Sequence, residues 1–393
     1  MDVRRANELF ELAKGLAAQA TELRHALERE FVSDQLVEVF TTDYELGEVV
    51  RVEQVTGGYL NQSFAVWADG GTGERTYFVR KYNRAITERE VRFEHALVSH
   101  INRNGFHMAA QVFPTRTGGT FVTREEILDG EPLTRFFAVY EMLGGEDKYT
   151  WVKNRCTDRE LESAARVLAQ FHHCAHGFDP SGSGREQPPI IEMLRDLPST
   201  FTNCTGLTTG TRCDEYFVAK LPAILDVIDK GTAIEPKLGG MPFIPVHCDY
   251  HPGNQKWVDE QVTGLFDFDW SKLDYRVFDL GLALAYFCSS WEGPESGQLR
   301  LDKTALFVRA YEDEAARYDE PGRMSEAELA LLPRMIANGN LYVLNWDVTA
   351  YYADKAACDD DEYLMYLEHQ VKVMEYIEGH LDELAAAVGA AAP

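Results

Sequence analysis

Apolar positions recur at helical spacing between residues 4 and 39, where Leu9, Phe10, Leu12, Ala13, Leu16 and Ala17 are interleaved with charges, and this predicts helix. From about residue 47 the texture changes to short runs rich in β-branched and aromatic residues. EVVRVEQV (48–55) and SFAVWA (63–68) flank the glycine-bearing TGGYLNQ, and TYFVRKY (76–82) follows the turn DGGTGE. REVRFEHALVSHINRNG (89–105) reads as one helix, with Val91, Phe93, Ala96, Leu97, Val98 and Ile101 mainly on one side and Asn104-Gly105 as its stop. TFVTR (120–124) and FFAVYEML (136–143) supply two more strands, and Gly144-Gly145 breaks the second. The order strand, strand, strand, helix, strand, strand predicts a small sheet with one helix packed on it.

Beyond residue 145 the pattern is helical. TDRELESAARVLAQFHHCAHGF (157–178) opens with a Thr157-x-x-Glu160 capping box and carries an apolar stripe through Leu161, Ala164, Ala165, Leu168 and Phe171. Further helices are expected over 190–199, 212–230, 279–291, 303–316 and most of 325–385, interrupted by a hairpin at 255–266. The chain therefore divides into a helical N-terminal extension (1–46), a sheet-bearing unit (47–143) and a mainly helical unit (144–393).

Composition narrows the class. A formal charge of −26 over 393 residues repels phosphate backbones and argues against nucleic acid as a partner. No stretch approaches the roughly 20 apolar residues that span a bilayer, so no membrane partner is expected. The N-terminus lacks a continuous apolar core and a cleavage site, which points to a cytoplasmic protein. Seven scattered cysteines with no C-x-x-C fit reduced thiols.

The candidate chemistry lies in VHCDYHPGN (246–254). Asp249 and Asn254 are five apart across Pro252-Gly253, and Asp267 in FDFDW comes thirteen residues later, past the hairpin. Phosphoryl transfer needs a carboxylate to orient or deprotonate a hydroxyl, and oxygen ligands for the Mg²⁺ that neutralises nucleotide phosphates. Kinase loops of the form H-R-D-x-x-x-x-N followed by D-F-G have these offsets. A zinc site on His247, Asp249 and His251, as in a metal-dependent hydrolase, is the competing reading, but it leaves Asn254 and Asp267 without roles. His172 and His176 share the i, i+4 spacing of some metal sites, although a structural role suits them better.

These stretches resemble the aminoglycoside phosphotransferase and choline kinase superfamily, whose motif runs H-G-D-x-H-x-x-N followed by I-D-[WF]-[ED]. Cys248 stands where glycine is usual, a position that tolerates small residues. The resemblance covers roughly 47–290. It implies an α+β, two-lobed protein-kinase-like fold, with a small five-stranded antiparallel N-lobe bearing one helix and a larger, mainly helical C-lobe. It implies ATP (or GTP) and Mg²⁺ as cofactors and a small-molecule hydroxyl acceptor such as an amino sugar, an amino alcohol or homoserine. Asp249 would serve the acceptor hydroxyl, His251 the γ-phosphate, and Asn254 and Asp267 the metal. Gly57, Gly58 and Asn61 would form the nucleotide loop, and the backbone at Glu141 and Met142 would meet adenine. Arg80 or Lys81 would hold the phosphates, with Glu94, or Glu90 as fallback, fixing the cation. Asp269 would face acceptor or metal, and Asp279 is expected as the N-cap of an apolar helix. A nucleotide-binding protein of the same fold that has lost catalysis is the remaining alternative.

Overall fold

The computed structural model describes residues 34–55, 61–128, 130–356 and 358–391. The nucleotide-loop glycines Gly57 and Gly58, and most of the expected N-terminal helix, lie outside the described residues. The chain divides into two compact units, Met1–Ile86 with Gln111–Met142, and Thr87–Ala110 with Leu143–Pro393.

In the first unit, helix α1 (34–43) precedes strands β1 (Glu48–Val55), β2 (Gln62–Asp69), β3 (Glu74–Lys81), β4 (Val122–Leu128) and β5 (Glu131–Glu141). They form one antiparallel sheet in the order β1-β2-β3-β5-β4. Phe64, Val66 and Ala68 on β2, Tyr77 and Val79 on β3, and Phe137 and Val139 on β5 share a face by strand alternation. Leu36, Val39 and Phe40 of α1, with Tyr44, complete that core. The end of the expected extension is therefore part of the sheet's own packing.

The second unit begins with α2 (Glu88–Arg103), which the sequence groups with the sheet. Its Phe93, Leu97, Val98 and Ile101 instead join the large core of this unit, beside α3 (Asp158–Ala175). Helices α4 (Ile190–Thr205) and α5 (Arg212–Thr232) follow, then β6 (Phe243–Val246), the hairpin β7 (Gln255–Val258) and β8 (Gln261–Leu265), and β9 (Lys272–Tyr275), which pairs with β6. Helices α6 (Arg276–Cys288), α7 (Leu301–Ala315), α8 (Glu326–Ala353), α9 (Asp360–Gly379) and α10 (Leu381–Ala391) complete it. Among the described residues, capping boxes start four helices, at Thr87–Glu90, Thr157–Glu160, Thr211–Asp214 and Ser325–Glu328. No helix among the described residues is long and apolar enough to cross a membrane. All seven cysteines are free thiols and six are buried.

Helices α6 and α8 meet backbone to backbone. A Cβ placed on Gly281 would sit 2.6 Å from the Met335 carbonyl, and one on Gly339 would sit 2.6 Å from the Leu282 Cα. Gly281→Ala therefore forces the helices apart, and a loss of about 1–3 kcal/mol is expected in a denaturant titration.

Candidate active site

β6 delivers the chain into a buried turn. His247 is fully buried, and Cys248 follows with a left-handed backbone, φ +63°. An L-residue there costs roughly 1–2 kcal/mol, which gives the physical reason for the glycine in the related motif. The bend is held from below. The carboxylate of Asp279 accepts the His247 amide at 2.9 Å and the Cys248 amide at 3.0 Å. α6 starts at Arg276 after Tyr275, so Asp279 is not the N-cap that the sequence suggests. It lies in the first turn and anchors the preceding loop.

His172 of α3 supports Asp279 in turn, with Nε2 at 3.0 Å from Oδ2 and Nδ1 at 2.8 Å from the Tyr311 hydroxyl. Burial pushes the His172 imidazole below its ordinary pKa against the pull of Asp279. Burial also pushes Asp279 up, but the His172 hydrogen bond and the loop amides outweigh it and leave the carboxyl low. The consistent state is a neutral imidazole donating through Nε2–H to a carboxylate anion, with Tyr311 donating to Nδ1.

Asp249 is held on three sides. Asn254 Nδ2 donates to Oδ2 at 2.7 Å, the Tyr286 hydroxyl donates to Oδ1 at 3.2 Å, and His251 Nε2 lies 3.6 Å from Oδ2. The Gly253 amide donates to His251 Nδ1 at 3.0 Å, so in the neutral ring the proton sits on Nε2, toward Asp249. Gly253 is required for this closeness, because a Cβ there would fall 2.9 Å from the imidazole and 3.0 Å from the Thr150 Cα. Burial raises the Asp249 carboxyl, yet His251 first, then His247 and Asn254, hold it below the ordinary carboxylate range. Burial keeps the Tyr286 phenol well above its ordinary pKa, so it remains a donor.

Asp267 follows β8 with φ +68° and ψ +54°. The neighbouring Phe266 amide donates to the Asn254 carbonyl at 3.1 Å, which ties the two segments together. His247 uses both ring nitrogens, Nε2 on the Phe266 carbonyl at 3.1 Å and Nδ1 on the Asp249 amide at 3.3 Å. It therefore offers no lone pair to a metal, and the zinc reading of this segment fails. His172 is likewise committed, while His173 stacks on Tyr318 at 4.0 Å. Glu90 serves the α2 capping box and pairs with Arg185, whose guanidinium also donates to the Asp269 carbonyl at 2.6 Å. Glu94 is buried one turn further along α2.

In the first unit, Lys81 donates to Gln35 of α1 at 2.8 Å and pairs with Glu126 of β4. Burial lowers its pKa, and Glu126 opposes that shift. Lys81 thus ties α1 to the sheet; the sequence offers it as the alternative to Arg80 for the phosphates. Arg80, its neighbour on the opposite strand face, lies within 5.8 Å of the Phe78, Tyr82 and Tyr140 rings. Asn61 accepts the Asn83 amide at 2.9 Å and so joins the start of β2 to the end of β3. The Glu141 amide donates to the Gln111 carbonyl at 2.9 Å, and Met142 ends the unit.

Sequence reading missed Tyr286 and the anchoring role of Asp279. A signal existed, because the two are seven residues apart on one helix and so share a face.

Comparison with known proteins gives a consistent picture. The model of the phosphotransferase enzyme family matches residues 51–326. A homoserine kinase of Parvibaculum lavamentivorans is 24% identical over 319 residues, 79% of this chain and 83% of that protein. A microcompartment-associated aminopropanol kinase of known structure superposes with a TM-score of 0.65 at 17% identity, over 90% of this chain and 98% of that one. A spectinomycin phosphotransferase solved with ADP and spectinomycin gives 0.57 at 13% identity, over 88% and 98%.

Proposed function

Because this chain belongs to the phosphotransferase enzyme family and is a small-molecule kinase, we propose that it transfers the γ-phosphoryl group of ATP to a hydroxyl of a small, amine-bearing acceptor. The observation that carries the reading is Asp249, kept anionic by His251 and Asn254 at the end of a rigid buried turn. Such a carboxylate orients the acceptor hydroxyl and takes its proton as the oxygen attacks phosphorus. His251, with its Nε2 proton on the Asp249 side, contacts the γ-phosphate.

Mg²⁺ suits the oxygen donors of this loop. Both side-chain hydrogen bonds of Asn254 use Nδ2, which leaves the Oδ1 face for a cation, and Asp267 adds a carboxylate beyond the neighbouring strand. The metal supplies neutralisation of phosphate charge. In the first unit Arg80 holds the nucleotide phosphates, and the backbone around Glu141 and Met142 meets adenine. The acceptor class is supported by the homoserine kinase and by the aminopropanol and spectinomycin kinases to which the chain is similar.

ADP release from Mg-ATP across amino alcohols, homoserine, choline, amino sugars and aminoglycosides tests the reaction. Turnover of one class supports the reading, and absence of turnover with every class removes it. The same assay separates the two cations of β3. Arg80→Ala should raise the KM for ATP by about tenfold, as the loss of a charged hydrogen-bond donor implies. Lys81→Met should leave that KM unchanged and lower the melting temperature instead, because it removes the buried tie from β3 to Gln35 of α1 and Glu126 of β4. The reverse pattern would reassign the phosphate contact to Lys81.

A further inference from the structure

The glycine- and proline-rich stretch PSGSGREQPP (180–189) joins α3 to α4 and lies outside every motif of the site. It is nevertheless tied down along its length. Arg89 of α2 donates to the Gly182 carbonyl at 3.4 Å and to Glu186 at 3.3 Å, and Glu90 accepts the Glu186 amide at 3.2 Å. The Tyr342 hydroxyl of α8 donates to Gln187 at 2.8 Å. Lys272 of β9 donates to the Pro188 carbonyl at 2.6 Å, and Asp274 accepts the Ile190 amide at 2.7 Å. A connection that only links two helices runs over the surface and leaves such groups to water.

Arg185 lies within that frame with its side chain turned inward, 14% exposed. Its guanidinium makes three contacts at once. Nη1 donates to the Asp269 carbonyl at 2.6 Å, Nε lies 3.4 Å from Glu90 Oε1, and the central carbon lies 4.6 Å from the middle of the Trp270 ring. Glu90 is itself fixed, because Oε2 accepts the Thr87 amide at 2.9 Å and the Thr87 hydroxyl at 3.0 Å. Asp269 and Trp270 belong to the short turn Phe268–Trp270, which Asp267 opens. One side of that turn is seated by Phe268, whose ring lies 4.8 Å from His247 and 5.8 Å from Phe171. Arg185 closes the other. Support on both sides matters here, because the left-handed backbone of Asp267 costs roughly 1–2 kcal/mol and persists only where its surroundings hold it.

We propose that Arg185 is a positioning residue for the metal: by clamping the Asp269 carbonyl and the Trp270 ring to Glu90, it sets the turn that aims the Asp267 carboxylate at the cation. The inference rests on the kinase reading above, which gives Asp267 and Asn254 to Mg²⁺. A guanidinium suits the task, since its fork and its flat face serve three fixed partners together, whereas an ammonium is a point donor. Glu90, which the sequence offers as a fallback partner for the phosphate cation, then works through Arg185 on the metal side.

The test measures metal affinity directly. Mn²⁺ is titrated into full-length protein held in excess over ADP, and binding is read from the loss of the free-ion EPR signal. ADP release against Mg²⁺ concentration gives the functional counterpart. Arg185→Met keeps the reach of the side chain over Trp270 and removes the charge and the donors. It should weaken Mn²⁺ binding by about 10- to 100-fold, the range for loss of a partner that orients a metal ligand. The Mg²⁺ needed for half-maximal ADP release should rise by the same factor, with the KM for the acceptor unchanged. Arg185→Lys should fall between the two. Glu90→Gln preserves the capping box and should weaken Mn²⁺ in the same direction, while adding nothing further in the Arg185→Met background. A purely structural Arg185 would lower the melting temperature of the metal-free protein and leave Mn²⁺ affinity at the wild-type value, which overturns the proposal. Additive effects of the Glu90 and Arg185 variants overturn the clamp as well. Should Arg185→Met fail to fold, wild-type Mn²⁺ affinity in both Arg185→Lys and Glu90→Gln overturns it. A wild type that binds no Mn²⁺ beside ADP removes the metal assignment itself, whereas a wild type that binds and variants that match it remove only the role of Arg185.

Discussion

Asp249→Asn is expected to lower kcat by roughly 10²- to 10⁴-fold, the range for loss of a positioned general base, while nucleotide affinity stays that of the wild type. The amide is nearly isosteric with the carboxylate: its one oxygen still accepts from Asn254, and its NH2, in place of the other oxygen, can donate to the Tyr286 hydroxyl, so the side chain still fits the turn. What it lacks is the negative charge that His251 and Asn254 stabilise in the native loop. It can neither take the hydroxyl proton nor fix the hydroxyl by a charged hydrogen bond. Single-turnover ADP formation and calorimetric titration with nucleotide separate the two quantities. A variant with near-native turnover would show that Asp249 does not act on the hydroxyl. A variant that loses nucleotide binding as well would show that the residue holds the loop together. The same carboxyl sets an expectation for pH. Its pKa is depressed, so the anion is present at every pH above the ordinary carboxylate value of about 3.9. Turnover should therefore show no acid limb from Asp249 near neutrality, and its contribution is lost only as pH falls through the depressed value.

The second large effect is expected at Asp279. Asp279→Ala removes the acceptor shared by the His247 amide, the Cys248 amide and His172 Nε2, all in the buried interior. Breaking a buried, fully hydrogen-bonded carboxylate cluster costs about 3–5 kcal/mol, a large part of the roughly 5–15 kcal/mol that holds a domain folded. The left-handed backbone at Cys248 also loses the bonds that compensate its strain. A denaturant titration should show the midpoint falling with the slope unchanged, and turnover should fall in the fraction that remains folded. Loss of turnover at full stability would mean that Asp279 acts on the reactants directly.

The parts of the fold visible in the sequence were those fixed by local chemistry. The Thr157-x-x-Glu160 box starts α3 as expected, and the hairpin behind the loop forms over Gln255–Val258 and Gln261–Leu265. The five strands of the small sheet appear in the expected order, because each run is bounded by its own turn residues. Pairings across long stretches of chain were not visible. β6 and β9 are four residues each and meet only after the intervening loop and hairpin have folded, so no local periodicity marks them. The site divides along the same line. Asp249, His251, Asn254 and Asp267 could be named from spacing, since their offsets are a property of the chain. Strand alternation says that Arg80 and Lys81 face opposite ways, but Gln35 and Glu126 decide which face each takes. Asp279 and Tyr286 carry their meaning through partners distant in sequence, and only tertiary packing brings those partners to them.

The glycine seam between α6 and α8 bears on how the reacting carboxylate is held. Tyr286, which touches Asp249, rides on α6, and α8 packs across that helix. At Gly281 and Gly339 the two helices press main chain against main chain, with no side chain between them to yield. Sliding one helix past the other would break that seam, so α6 has a fixed seat against α8. The helix pair then works as a jig: it presents the Tyr286 hydroxyl to Asp249 from a seat that does not give, so the carboxylate is aimed before any acceptor arrives.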